Sequence, residues 1–559
     1  MLRNKKSNRE MRSLRECLKG LLRVARPQRS KLFVSCAIGL VRIAASMAFV
    51  WVCKALVDIA TGTSDRSIGL YVGIMIGIML VQMISAAAAS WWEGMMVTKA
   101  QNELRAGLFG HVMKSVWIGR ETYHSSDTVN RLEEDIRVMV DMVCSRIPAV
   151  VVTLVQLLAA SIFLFVLEPS LLFVLLILMP VAVLGSKMFF KTIRKLTAHI
   201  RSREGDIQGH MQENLQNRIL VKTMDASEAV MDRLGWMQDD VMDHVVRRLN
   251  YDAVARSFMR FGFMAGYAAA FLWGIFGIRS GAVTFGMMTA FLQLVGQVQR
   301  PIADMSRHIP AFIQCLTSVE RLLDLSDLKV EDAGDDIVFA SAPGIRLDDV
   351  SFTYSDYPAG VVPEPVLQHF SYDFKPGSLT AIVGMTGAGK STLTRILLSL
   401  LKPDSGSVVI YSDEGSAELG AATACNFRYV PQGNSLMSGT VRDNLLLARP
   451  SASEDEMREA LHVAVADFVL DLPDGLDTVC SEKGSGLSEG QAQRIAIARS
   501  LLQRGSIMIL DEATSSIDAE TERTLLQRMS EKYHGELTIL WVTHREAVTG
   551  IADAVLRIQ

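Results

Sequence analysis

The 559-residue chain has few cysteines, seven in all (Cys17, Cys36, Cys53, Cys144, Cys315, Cys425 and Cys480), with no CxxC pair and no histidine at metal-ligand spacing. That excludes a disulfide scaffold and a zinc site and leaves the thiols as reduced bystanders. No small-residue cleavage site ends the first apolar run, which is longer than the core of a signal peptide, so no secretory signal is expected. Acidic residues are scarce at the start, where eleven Lys and Arg between Arg3 and Lys31 face only Glu10 and Glu16. Elsewhere charge balances to a net of -3, and 49% of residues are hydrophobic.

Those hydrophobic residues are unevenly placed. Long apolar runs are confined to the first three-fifths, and the rest has the composition of a water-soluble α/β domain. Six stretches reach the roughly 20 residues a spanning helix needs: Leu32 to Val57, Ile68 to Trp92, Ile147 to Leu167, Leu171 to Phe189, Phe258 to Ile278 and Gly286 to Ile302. The connections assigned outside are short and poor in cations, whereas the others are long and rich in Lys and Arg. The positive-inside bias therefore predicts a multi-pass protein of the cell (inner) membrane with its N-terminus and C-terminal domain in the cytoplasm. Six spans exclude a soluble ATPase acting on nucleic acid.

Met11, Leu14, Leu18, Leu21, Leu22 and Ala25 recur at helical spacing among the N-terminal cations, which predicts an amphipathic helix lying on membrane lipid; a solvated basic tail is the alternative. Polar residues with helical period and few Gly or Pro fill the second-to-third and fourth-to-fifth connections. They predict helices continuing beyond the membrane and turning near Tyr123 to Val129 and Asn217 to Thr223, where they are expected to meet the second domain. Within the spans, Arg42 either lines a cargo path or reaches the inner headgroups. Lys54 is expected to reach the outer interface, and Gln82, Gln156, Gln293 and Gln297 to bond between helices or line the path.

The chemistry is concentrated between Gly384 and Thr392, GMTGAGKST, which fits GxxxxGK[ST] through Gly384, Gly389, Lys390 and Ser391. An apolar β-branched run, LTAIV, precedes it and an amphipathic run, TLTRILLSLL, follows it. In that context the backbone N–H groups of Gly384, Thr386, Gly387, Ala388, Gly389 and the first helical residues, through Thr392, can close round a polyphosphate, with Lys390 as a point charge and the Ser391 hydroxyl on Mg²⁺. Downstream, IMILDE is a strand ending in two carboxylates. Asp511 suits the Mg²⁺ shell, and Glu512 can orient or deprotonate an attacking water.

IRLDDVSFTY, GMTGAGKST, VPQ, LSEGQ, IMILDEATSSID and VTHR, in this order, resemble the nucleotide-binding domain of an ATP-binding cassette (ABC) transporter. With six spans ahead of them, residues 10 to 559 resemble a bacterial exporter-type half-transporter. The resemblance implies that Tyr354 stacks on adenine, although by itself Tyr354 reads as core. It also implies that Gln432 joins the Mg²⁺ site to the membrane domain and that His544 meets the γ-phosphate. Ser488, Gly490 and Gln491 of LSEGQ would bind the ATP of an opposite cassette, and Ser515 to Asp518 would run along the seam between the two. Two features depart from the family. Glu489 stands where glycine is usual, and the chain stops at Gln559, so the closing β-hairpin and C-terminal helices usual in the family are not expected.

The fold class expected is an all-α six-helix transmembrane domain followed by an α/β P-loop cassette. Its parts would be a basic segment (1–31), the membrane domain (32–325), a linker (326–344) and the cassette (345–559). The function expected is ATP-driven export or flipping of an unidentified substrate, with ATP and Mg²⁺ as cofactors. A homodimer is favoured over pairing with a related half-transporter, because the resemblance implies that heterodimers often lose the matches of Glu512 or His544. An ATP-gated channel-like or regulatory membrane ATPase is the alternative.

Overall fold

The structure is a computed structural model. It describes residues 13–116, 125–331, 334–354, 364–385, 387–480 and 486–558, without the side chains of 125–126, 179–184, 186–187, 303, 306–309 and 546–547. Thr386, the first twelve residues, and Tyr123 and His124 of the first expected turn lie outside the described residues. The chain divides into two compact units, one of Met1–Phe109 with Val129–Ser326, the other of Gly110–Thr128 with Asp327–Gln559.

The first unit is helical. Helix α1 (Leu14–Ala25) starts at Ser13, whose side chain accepts from the Glu16 N–H while Glu16 reaches back to the Ser13 N–H. Cys17, Gly20 and Leu21 are buried, whereas Leu14, Leu18 and Leu22 are exposed as an apolar stripe. The next helices are α2 (Arg29–Ala60), α3 (Ile68–Met113), the short α4 (Ser125–Asn130) and α5 (Ile136–Asp141), and α6 (Ile147–Leu167). Two five-residue π-helical turns, Arg131–Asp135 and Met142–Arg146, interrupt the run from α4 to α6. The first π-turn contains the buried Asp135, which accepts from Ser318 Oγ at 2.7 Å and lies 3.5 Å from Arg321.

The remaining helices of the unit are α7 (Pro169–Gln216), α8 (Arg218–Thr223), α9 (Ser227–Arg279) and α10 (Phe285–Ser326). The expected turn at Asn217 to Thr223 is α8, set between α7 and α9. These two long helices run antiparallel, with Arg203 3.1 Å from Asp240, His210 3.2 Å from the Val230 carbonyl and Phe189 stacked on Phe258. At 1.5 Å per residue each is about 70 to 80 Å long, more than twice the thickness of a bilayer core.

Each of the six apolar stretches lies in one of α2, α3, α6, α7, α9 and α10. Among the described residues, four helical runs are long and apolar enough to cross a membrane: Leu14–Ala60, Ile68–Met113, Asp127–Leu167 and Ser227–Arg279. The most apolar part of α3 is only 6% buried, an arrangement stable against lipid and not against water. α10 is not among the four, because Gln293, Gln297, Gln299 and Arg300 dilute its apolar half. Its Phe291, Leu294, Val295 and Val298 are buried against Val50, Leu164, Leu171 and Ala270, so it shows less apolar surface to lipid. Lys54, near the end of α2, is paired within its own helix. Its Nζ is 3.0 Å from Asp58, whose other oxygen accepts from the Gly286 N–H, so the pair ties α2 to the start of α10.

In the second unit, residues just past α3 pair with the segment before the sheets. Val116 N donates to Lys329 O and Glu331 N to Lys114 O. The segment 334–343 is mostly exposed but anchored at Phe339, which is buried with its N–H on Asn426. Strands β1 (Gly344–Phe352), β2 (Leu367–Phe374), β4 (Ser405–Ser412) and β5 (Gly415–Glu418) form an antiparallel sheet, ordered β2-β1-β4-β5. Strands β3 (Leu379–Gly384), β6 (Phe427–Val430), β9 (Ile507–Asp511), β10 (Thr538–Val542) and β11 (Ala554–Ile558) form a parallel sheet, ordered β11-β3-β10-β9-β6. A small pair, β7 (Gly439–Thr440) and β8 (Val479–Cys480), completes the strands.

Every residue of β9 and β10 is buried, as a parallel sheet covered on both faces requires. Successive side chains divide between two cores. Met508, Leu510, Ile539 and Trp541 pack with the helical side, α12 (Val441–Ala448), α13 (Glu454–Val463), α14 (Glu489–Leu501) and α15 (Ala519–Tyr533). Ile507, Ile509, Leu540 and Val542 pack with the antiparallel sheet and α11 (Lys390–Leu397). The strand period of two thus clamps the central strands from both sides.

Candidate functional site

The site forms where the parallel strands end, the usual binding edge of such sheets. β3 runs into the glycine loop and α11, so the loop opens at a helix N-terminus where unpaired N–H groups favour an anion. Gly389, at the N-cap of α11, has φ 96°, and a side chain there would come within 3.2 Å of Val366. Lys390 is buried. Its Nζ donates to the carbonyls of Gly384 at 2.6 Å and Met385 at 3.1 Å, and it lies 3.2 Å from His544 Nε2. The lysine is therefore held across the loop rather than left to solvent. Ser391 is exposed in the first turn of α11, Thr392 is buried behind it, and Gly387 and Ala388 complete the described loop; Thr386 lies outside the described residues.

Glu512 follows the last residue of β9 at φ 49°, a conformation unusual for a side-chain-bearing residue. Its N–H donates to Val542 O at 3.0 Å, which fixes it to the end of β10. One carboxylate oxygen accepts from Gln432 Nε2 at 2.6 Å and the other lies 2.9 Å from His544 Nε2. Gln432 comes from the loop after β6 and His544 from the end of β10. Four sequence-predicted residues, Gln432, Glu512, His544 and Lys390, thus form one chain of polar contacts drawn from four segments.

Asp511 is buried beside Glu512. Burial pushes its carboxyl above the usual carboxylate range and the Glu512 charge adds to this, against a hydrogen bond from Tyr429. Burial, with the Asp511 charge behind it, raises the Tyr429 phenol to about 12. Two neighbouring carboxylates with little solvent are a suitable place for a divalent cation to offset the charge. The residues fit an ATP and Mg²⁺ site: a glycine cradle, a fixed lysine and a buried acid.

Tyr354 packs edge-on to Phe352, and its hydroxyl is 3.2 Å from Thr392 Oγ1 and accepts from Arg395 at 3.1 Å. That puts the predicted adenine partner directly behind the loop helix, half-buried against the core.

LSEGQ lies at the start of α14. Ser488 caps the helix, accepting from Gln491 N, while its own N–H donates to Gln491 Oε1 at 2.9 Å. Glu489 is exposed in the first turn, where its charge suits the positive helix end. Gly490 has no room for a side chain, since a Cβ would lie 2.5 Å from Ser516 O. Gln493 extends the same contact, accepting from Ser516 N and donating to Ser515 Oγ. The segment Ser515 to Asp518 is thereby fastened to α14.

Sequence reasoning missed Arg545. Its guanidinium donates to Ser515 O at 2.7 Å, to Ile517 O at 2.6 Å and to Glu522 Oε2 at 3.1 Å, and Glu522 is almost fully buried. The one available signal was its place beside His544 in VTHR. Tyr429 was missed because an aromatic in a strand reads as core.

Two family descriptions match the chain in series: "ABC transporter transmembrane region" over residues 32–302 and "ABC transporter" over residues 367–515. The chain belongs to the ABC transporters. It is an ATP-hydrolysing membrane transporter with its membrane part and cassette in one polypeptide. Among relatives, the provisional multidrug export ATP-binding/permease protein YgaD of Bacillus subtilis is 25% identical over 96% of the transporter and 94% of that protein. The "Fatty acid ABC transporter ATP-binding/permease protein" of Mycobacterium bovis is 28% identical over 78% of the transporter and 68% of that protein. The transporter shares its fold with a bacterial Atm1-family ABC exporter solved with ATP bound, at a TM-score of 0.79 and 22% identity over 95% of this chain and 94% of that one.

Proposed function

We propose that this transporter is an exporter or flippase of the inner membrane. It would work as a homodimer with two shared ATP sites, with its N-terminus and cassettes in the cytoplasm. The observation that carries the reading is the contact chain Gln432–Glu512–His544–Lys390 at the mouth of the glycine loop. Residues 1–31 are assigned to the membrane surface, 32–325 to the substrate path, 326–344 to the link and 345–559 to ATP.

In this assignment the backbone of Gly384 and of Thr386 to Thr392 surrounds the phosphates, Lys390 neutralises them, and Tyr354 meets the adenine. Ser391, Gln432 and Asp511 hold Mg²⁺, which when bound supplies positive charge to the phosphate oxygens. Glu512 orients the attacking water and takes its proton. His544 and Gln432 hold both carboxylate oxygens from opposite sides, which limits the rotation that would misaim it. Ser488, Gly490 and Gln491 complete the site on the other protomer. Retention of both Glu512 and His544 supports two working sites, hence two identical chains. Binding of ATP draws the cassettes together and shifts the membrane helices from an inward-open to an outward-open state, and hydrolysis resets them.

The test is ATP turnover by the full-length protein in lipid nanodiscs. Glu512→Gln is expected to bind ATP as wild type does and to lose turnover at least about a hundredfold, within the range expected of a general base. Lys390→Ala is expected to weaken ATP binding itself. Equal loss of binding in the two variants overturns the separate roles.

A further inference from the structure

A polar cavity of about 520 Å³ opens among α2, α3 and α6, inside the apolar part of the first unit. At one level it is lined by Arg42 and Ser46 of α2, Gln82 of α3, and Thr153 and Gln156 of α6; at another by Ser35, Glu93 and Ser145. Two hydrogen bonds set these levels. Gln82 Nε2 donates to Ala45 O at 3.2 Å, and Trp92 Nε1 donates to Lys31 O at 3.1 Å. Gln82 therefore stands beside Arg42, while Glu93 stands beside the basic start of α2, about 15 Å lower by helix rise. On the α2–α6 side the two helices are in close contact at Gly39, where a Cβ would fall 2.3 Å from Val152 Cγ2.

Arg42 lies about 15 Å into the span that begins at Leu32, near mid-bilayer, where an unpaired charge is costly. Among the described residues it has no hydrogen-bond or ion-pair partner, and it is exposed to the cavity. Lys54 in the same helix is treated differently, being matched with Asp58. The amides of Gln82 and Gln156 and the hydroxyls of Ser46 and Thr153 can donate hydrogen bonds but bring no negative charge. Glu93 sits at the basic end of the helices, where headgroups and water can solvate it. The cavity thus has one cation and several donors at mid-depth, next to apolar side chains of Ile43, Ala86 and Val152.

We infer that this cavity is a substrate site for an amphiphile with an anionic head, a carboxylate or a phosphate, which Arg42 binds and Gln82 and Gln156 position. The inference deepens the export reading and rests on it for the word substrate, but binding can be measured without transport. Planar guanidinium recognition of a two-oxygen anion is the expected contact, so lysine should replace Arg42 only in part.

The experiment measures equilibrium binding of radiolabelled dodecanoate, dodecyl phosphate, dodecanol and dodecyltrimethylammonium to the full-length protein in phosphatidylcholine nanodiscs. The wild type is expected to bind an anionic probe about tenfold or more tighter than dodecanol, as one charge-assisted contact implies. Arg42→Gln is expected to erase that preference and leave dodecanol binding unchanged. Arg42→Lys should restore part of the preference, and Gln156→Leu should weaken the anion severalfold. Dodecanoate favoured over dodecyl phosphate would mark a carboxylate head, and the reverse a phosphate head; either supports the site. Equal binding of all four probes by the wild type, an unchanged anion preference in Arg42→Gln, or preference for the cation, which would move selectivity to Glu93, overturns it. ATP turnover is read on the same samples: anion-selective binding without probe-stimulated turnover would overturn the export reading and leave the site standing.

Discussion

Among single residues, Gly490 shows how strictly backbone contact can select a side chain. Any Cβ at this position meets Ser516 O at 2.5 Å, so Gly490→Ala must push the segment Ser515 to Asp518 away from α14. Ser516 N is bonded to Gln493, and Ser515 O and Ile517 O to Arg545, so the push reaches the residues that follow Glu512 directly. A shift of about 1 Å near reacting groups can cost a hundredfold in rate, and Gly490→Ala is expected to lose ATP turnover on about that scale. Its unfolding temperature should also fall, because the strain of displacing a backbone segment typically costs about 1 to 3 kcal/mol. Wild-type turnover in this variant would show that the two segments move freely of one another. Glu489, one position earlier, is exposed, so its departure from the family pattern puts no carboxylate into this contact.

At the level of elements, the loop after β9 is held by α15 and by the end of β10 rather than by its own sequence. Glu522 of α15 is 1% exposed, accepts from Thr514 Oγ1 at 2.5 Å and pairs with Arg545. Removing Arg545 alone leaves a buried carboxylate without its cation and frees two loop carbonyls. Arg545→Ala is expected to destabilise the cassette by about 3 kcal/mol, as breaking a buried ion pair does. The double variant Arg545→Ala with Glu522→Gln should recover part of that loss, since the stranded charge is gone. Thermal unfolding of the wild type, Arg545→Ala, Glu522→Gln and the double variant gives the comparison. Additive effects would mean that the two side chains act independently.

For the molecule as a whole, the two compact units divide the work: one provides apolar helices with a polar cavity, the other a phosphate-binding edge. The homodimer assignment predicts that Ser391 of one chain faces the LSEGQ segment of another. Gly490 cannot carry a cysteine without displacing Ser516, whereas exposed Glu489 can. Ser391→Cys with Glu489→Cys, on a background freed of the seven natural cysteines, is expected to form an intermolecular disulfide on mild oxidation. The cysteine-free parent, which keeps Ser391 and Glu489, should hydrolyse ATP. An inactive chain that gains activity only with a second cassette protein would overturn the homodimer.

The amino-acid sequence by itself determined the class of the protein and the identity of its chemical groups. Its signals are local: spans of some twenty apolar residues, glycines at a strand-to-helix turn, and adjacent acids after the apolar run IMIL. Each depends on periodicity or on chain neighbours, so no distant contact is needed to read it. Tertiary structure alone decided what depends on approach between remote segments. Arg545 became a clasp because β10 ends beside the loop that follows β9. Lys54 acquired Asp58, one turn away, and through it the start of α10, which lies 228 residues beyond Asp58. Arg42 was ambiguous in one dimension, since depth in a span gives neither a partner nor a cavity. Packing supplies the cavity, which Arg42 shares with Gln82 and Gln156 at one level and with Glu93 at another.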